Sequence, residues 1–209
     1  MKKLILILVV LLIPSRVFSS SAQDSIFDME EIRDARTLHP EILQDWHVVN
    51  GPISTRQKSV TISVGELWPG RDFRIPVRFI VPVNGKAKGF HLTGGHNLKQ
   101  FESDTAIRGV DIELIKGGIG LVHTIVQEPR TYGEKDVGSW MRNRFFNTLN
   151  TRYSIQYWGW PAILMRATTA AYAESHYFEK GKIALSGGSK NGASPSVALI
   201  ADTRFSALH

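Results

Sequence analysis

The hydrophobic pattern changes period along the chain, and the elements follow from those changes. From Val60 to Val64 apolar and polar residues alternate, as they do on a half-buried strand, and Arg74 to Val81 alternates in the same way. Pro76 inside the second run points to an edge position, because proline donates no ladder hydrogen bond. Trp68 to Asp72 reads as the turn joining the two runs into an antiparallel hairpin. A short strand from Gly89 to Thr93 then runs into Gly94, Gly95 and His96. Ile119 to Val126 is apolar on both parities, which predicts a strand at about 120–126 covered on both faces. Residues 182–186 form a last strand, and the segment from Arg204 to His209 reads as the opening of another.

Helices fill the gaps between these strands. Pro161 suits a first helical turn, and Ile163, Ala167, Ala170 and Ala171 share one face, which predicts a helix over 161–177. A second helix is expected over 192–201, capped by Gly192 with Pro195 in its first turn. Val137 to Tyr153 reads as partly helical. Residues 23–58 mix acids, aromatics and turn formers and read as a leading segment, with one short helix near Met29 to Arg36. Strands alternating with helices imply parallel pairing, with strands 89–93, 120–126 and 182–186 central and the site at their carboxyl ends.

The first 22 residues lie outside this pattern. Lys2 and Lys3 precede an apolar run from Leu4 to Ile13, then a polar stretch ending at Ser20, Ser21 and Ala22. This is the make-up of a secretory signal peptide, cleaved after Ala22, and the run is short for a bilayer span. We therefore expect an exported protein, periplasmic or extracellular, with no stable membrane span after signal removal. The absence of cysteine excludes disulfides and suits a bacterial envelope. Losing the signal removes Lys2, Lys3 and Arg16 and no acid, so the formal charge falls from +6 to +3. The remaining basic residues are scattered, so a nucleic-acid partner is not expected. Residues 59–209 are read as one domain.

The chemistry concentrates between Lys182 and Pro195. The apolar residues Ile183, Ala184 and Leu185 stop at Ser186, Gly187 and Gly188; Ser189 follows, then Lys190, Asn191 and Gly192. Strand, tight turn and helix in that order hold one hydroxyl above the end of a sheet, with the next backbone N–H placed for an oxyanion. An ordinary glycine-rich turn remains the competing reading. A phosphate loop fits less well, because its lysine directly follows the last glycine.

The form G-x-S-K-x-G resembles the PhoPQ-activated pathogenicity-related family of secreted α/β-hydrolases. It is also similar to the glucuronoyl and acetyl xylan esterases, which carry a G-x-S-[RK]-N-G version. Tyr157 to Pro161, about thirty residues upstream, is similar to the tryptophan–proline start of the helix preceding the elbow in these families. The resemblance covers roughly residues 70–209. It implies an α/β-hydrolase-like fold with a mostly parallel central sheet, helices on both faces and Ser189 as nucleophile. The usual glycine two places after the serine is replaced by Asn191.

Around Ser189, the backbone N–H of Lys190 is the expected oxyanion donor. Its side chain is either a second, cationic donor, as the arginine there is in glucuronoyl esterases by resemblance, or a solvated charge. Gly94, Gly95 and His96 follow the strand whose loop usually supplies the other donor, and a plain turn is the alternative. His91 and His123 sit in apolar strands and read as core residues. No metal motif is present, and neither a metal nor a small-molecule cofactor is implied.

An acid and a histidine are expected after the nucleophile. Asp202 and His209 have the right order, but their positions point them away from Ser189. The chain is thus expected to be the amino-terminal part of a longer hydrolase, ended after the elbow helix and feeble on esters by itself. Two functions remain open: a serine esterase acting on a small-molecule or carbohydrate ester, and a non-catalytic carbohydrate- or peptide-binding protein on the same scaffold. Oligomeric state is not legible.

Overall fold

The computed structural model describes residues 26–68, 71–126, 147, 158–188 and 190–209, with the backbone alone at 66–68, 71, 190 and 191. The signal segment and most of Val137 to Tyr153 lie outside these residues. So do residues 69 and 70 of the expected turn, which join β2 (Thr55–Trp68) to β3 (Arg71–Pro82).

Among the described residues seven strands form one mixed sheet. In space they run β1 (Glu41–Val49), β2, β3, β5 (Gly120–Thr124), β4 (Ala87–Thr93), β6 (Phe178–Ser186) and β7 (Phe205–Leu208). Pairing is antiparallel from β1 through β3 to β5 and parallel from β5 through β4 and β6 to β7. The three strands expected to be central and parallel are β5, β4 and β6, and 182–186 lies inside the sheet rather than at its rim.

Two apolar layers sandwich the sheet. Val60, Ile62, Phe79, Val122 and Leu185 face helix α3 (Trp160–Ala173) together with α1 (Met29–Arg33). Ile80 and Leu121 have the opposite parity and pack with Ile107 and Ile115, the latter on α2 (Val110–Lys116). Helices therefore cover both faces, as an α/β-hydrolase-like fold requires. α3 is buried along Pro161–Ala171, because it lies between the sheet, α1 and the following helix, α4 (Lys190–Ala201).

Several local expectations change. β1 lies in the leading segment and showed no alternation, because it is an outer strand with two register shifts and a largely exposed first half. β3 is not an edge strand. Pro76 is tolerated because β5 pairs only with Val77–Ile80, so the missing N–H falls beyond the ladder, while the Pro76 carbonyl accepts the Thr124 hydroxyl at 2.8 Å. α3 ends four residues early, where the Glu174 carbonyl accepts the N–H groups of Tyr177 and Phe178 and turns the chain into β6.

α4 begins two residues before the expected cap, so Gly192 lies inside its first turn and Pro195 within the helix. Gly192 answers to a different constraint. A β-carbon there would stand 3.1 Å from the Gly187 carbonyl oxygen, tighter than ordinary contact, so glycine lets the helix start against the strand end.

Candidate functional site

The site region is built from the carboxyl ends of β4, β5 and β6. Thr93 pairs with Ser186, so the chain leaves β4 and β6 at the same height, and 94–96 and Gly187–Gly188 follow from neighbouring strand ends. β6 stops at Ser186 and α4 opens at Lys190, with Gly187 and Gly188 between them. Ser189 itself lies outside the described residues, as does the Lys190 side chain. The Lys190 backbone opens the helix, where N–H groups lack partners within the helix and the dipole favours negative charge.

Gly94 and Gly95 are tied to the end of β5. The Val126 N–H donates to the Gly94 carbonyl at 3.0 Å, and Gly95 bridges Ile125. A β-carbon at Gly94 would meet Val126 Cγ1 at 2.5 Å, so this glycine is required by packing against β5. Gly95 is exposed, and its N–H makes a long 3.4 Å hydrogen bond to the Thr93 hydroxyl.

His96 turns inward. Its ring stacks on His123 with centroids 4.0 Å apart and meets Phe101 edge-on, and its Nδ1 is buried without a hydrogen-bond partner. Burial, with the Arg78 charge beside it, pushes its pKa down to about 4. Burial drives His123 down too, helped by His96 and Arg78. Both rings are neutral near pH 7. Arg78 beneath them donates to Ser59 Oγ, the Gln100 carbonyl and Thr105 Oγ1, and lies over Phe101. This fits the core reading of His123.

His91 is only half-buried, and its Nε2 lies 2.8 Å from Ser186 Oγ. Sequence reasoning passed over this pair, because Ser186 read as a turn residue and 95 positions separate the two. Asp202 is fully buried, ion-paired with Arg204 at 2.6 Å and Arg33 at 3.0 Å, and holds no place near the junction. His209 continues β7, its N–H donating to the Leu185 carbonyl at 2.9 Å. Among the described residues no three His, Asp or Glu side chains converge as metal ligands, and no helix is long and apolar enough to cross a membrane.

A scan against protein-family models finds no match, and a search of curated proteins finds none either. Solved structures do match. A glucuronoyl esterase from Solibacter usitatus aligns with TM-score 0.57 at 14% identity, over 89% of this chain and 56% of its own. An acetyl xylan esterase from Paenibacillus sp. R4 gives 0.55 at 14%, over 89% and 57%. A glucuronoyl esterase from Teredinibacter turnerae gives 0.53 at 16%, over 82% and 44%. The chain has an α/β-hydrolase-like fold. It spans about half the length of these structures.

Proposed function

We propose that this chain carries the nucleophile of an exported serine esterase, acting by acyl transfer through Ser189 on a small-molecule or carbohydrate ester. The observation behind this reading is the junction of β6 and α4 within the parallel part of the sheet, with the 94–96 loop emerging alongside. A serine at such a junction presents its oxygen outward, while the helix start offers the Lys190 N–H to a developing oxyanion. Gly95, exposed and weakly bonded, is the second donor in this reading. The likeness to glucuronoyl and acetyl xylan esterases supports a carbohydrate ester as substrate. The G-x-S-K-x-G form, with lysine after the serine, favours a place beside the PhoPQ-activated pathogenicity-related hydrolases. Export rests on the composition of residues 1–22.

A free serine hydroxyl is barely ionised near neutral pH, so Ser189 needs a base. Asp202 is neutralised by two arginines and does not serve. The test is turnover of acetylated xylan and of a glucuronoyl ester by secreted protein, both this chain, expected to be feeble, and a version extended to the length of its structural neighbours, each with and without Ser189→Ala; the loss is read on the longer version. Removing the nucleophile should lower turnover by about 10³-fold or more. Turnover that survives the substitution overturns the reading. Intact mass of the same material should correspond to a chain starting at Gln23, and a mass starting at Met1 would exclude signal cleavage.

A further inference from the structure

After β4 the chain doubles back along the end of β5. The Val126 N–H donates to the Gly94 carbonyl at 3.0 Å and the His96 N–H to the Thr124 carbonyl at 3.4 Å, so Gly95 stands opposite Ile125 with one backbone bond on either side. In an antiparallel bridge of this kind the two hydrogen bonds flank the facing pair, and the facing residues turn their own N–H groups away from each other. The Gly95 N–H is therefore directed away from β5. It donates to Thr93 Oγ1 at 3.4 Å, long enough to yield to a better acceptor.

The two bonds that hold this arrangement are unequal. The one at Gly94 is short, and the backbones lie so close that a β-carbon there would stand 2.5 Å from Val126 Cγ1. The one at His96 is long, and its side of the loop is secured by the imidazole ring. That ring stacks on His123 with centroids 4.0 Å apart and planes 20° apart, and meets Phe101 edge-on at 6.3 Å. His123 is a fixed platform, buried on β5 between its partners Arg78 on β3 and Thr93 on β4. Turning inward costs His96 a buried Nδ1 with no hydrogen-bond partner among the described residues, a cost that a loop side chain facing water avoids.

We infer that His96 is a positioning residue: its ring, stacked on His123, pins the 94–96 loop to β5 so that the Gly95 N–H points at the developing oxyanion. This deepens the esterase reading and rests on it, since Gly95 is a donor only if Ser189 attacks an ester. Two charged rings at this separation would repel, and burial keeps both neutral near pH 7, so the stack holds. An oxyanion donor acts by being fixed in place before the charge appears, and a loop free to shift by about 1 Å forfeits about 10²-fold in rate.

Two measurements test the inference. In this chain, amide hydrogen exchange at His96 reads the bond to Thr124. His96→Ala should speed that exchange about 10-fold or more, and His96→Phe, which keeps a ring for the stack, should restore it. In the version extended to the length of the structural neighbours, kcat and KM for an acetyl ester are measured with KI for phenylboronic acid, whose adduct with Ser189 carries a negative tetrahedral centre. His96→Ala should lower kcat and raise KI about 10²-fold while KM changes by less than about 3-fold, and His96→Phe should bring both back. The ratio of KI to KM does not depend on the fraction of a variant that folds, so a poorly folding His96→Ala still answers. Exchange at His96 that ignores His96→Ala overturns the inference, as does a KI that stays unchanged or a His96→Phe protein as impaired as His96→Ala. Turnover abolished by Ser189→Ala but untouched by His96→Ala sinks the role of His96 and leaves the esterase reading standing. Turnover that survives Ser189→Ala sinks both.

Discussion

At the amino-terminal end of β7 ionisable side chains close on one another in ion pairs, whereas at the carboxyl ends of β4 and β5 burial holds two stacked imidazoles neutral. In the first region Arg204 forks onto Asp202 and also donates to Thr169 Oγ1 and the Met165 carbonyl. Arg33 reaches the same carboxylate from α1. Arg166 on α3 spreads over the carbonyls of Ser63, Glu31 and Asp34 and the Thr37 hydroxyl, fastening α1 to β2 and α3. In the second region His96 and His123 stack with Arg78 nearby, and the charged form of each ring is penalised. Saturated charges suit a fixed base. Imidazoles held in a low-dielectric end resist protonation and stay neutral near pH 7.

The largest effect should come from breaking the saturated end. Burial by itself raises the Asp202 pKa, but hydrogen bonds and charge from Arg204, joined by Arg33, outweigh it and the net shift is downward. Asp202→Ala strands a mostly buried guanidinium, and unfolding in urea should show a loss of about 3–5 kcal/mol. Because the folded pKa is depressed, the Asp202 contribution is fully present above the ordinary carboxylate value and is lost as pH falls from there through the lower folded pKa. A loss below about 1 kcal/mol would make this end no more committed than a surface ion pair.

A smaller effect is expected from packing at the other end. Gly94→Ala drives a methyl group into Val126, a branched side chain with little freedom to retreat. The cost should be about 1–3 kcal/mol by thermal or urea unfolding. A neutral result would mean that the 94–96 loop is freely adjustable, and the contrast in rigidity between the two ends would widen.

The effect that is smallest near neutral pH concerns protonation. His96 resists its proton down to about pH 4 when folded, whereas the unfolded chain takes one near the ordinary histidine value. The unfolded state thus binds more protons in that window, and stability falls as pH drops from about 6.5 toward 4. The slope from His96 approaches about 1.4 kcal/mol per pH unit. His123 adds in the same direction. His96→Phe keeps a ring for the stack and should flatten the slope by its share, measured as unfolding free energy across that range. An unchanged slope would show that His96 is not desolvated in solution.

Much of the fold was legible wherever a local pattern and its environment agreed. β4, β5 and β6 have distinct apolar runs because both of their faces are covered, and α3 has its proline and apolar face because it is packed on several sides. β1 was missed for the opposite reason. A strand paired on one edge and open to water elsewhere needs no alternation, so Glu41–Val49 is held by hydrogen bonds to β2 that composition does not announce. At the candidate site, the β6–α4 junction and the 94–95 loop after β4 were legible because each follows a strand with a distinct apolar run. The inward turn of His96 was not, since it depends on His123, Phe101 and Arg78 arriving from other segments.

By itself the sequence determined the order of strands and helices along the main part of the chain, the position of the β6–α4 junction and the absence of disulfides. These depend on residues close together in the chain, where backbone geometry and side-chain period act directly. Tertiary structure decided why a side chain at Gly94 meets Val126, why Gly192 sits close to the strand end, why Pro76 fits inside a sheet, that Asp202 belongs to an arginine cluster, and that His91 meets Ser186. Each of these depends on what stands opposite a residue across the sheet or a helix contact. Local pattern carries almost no record of a partner brought close only by folding.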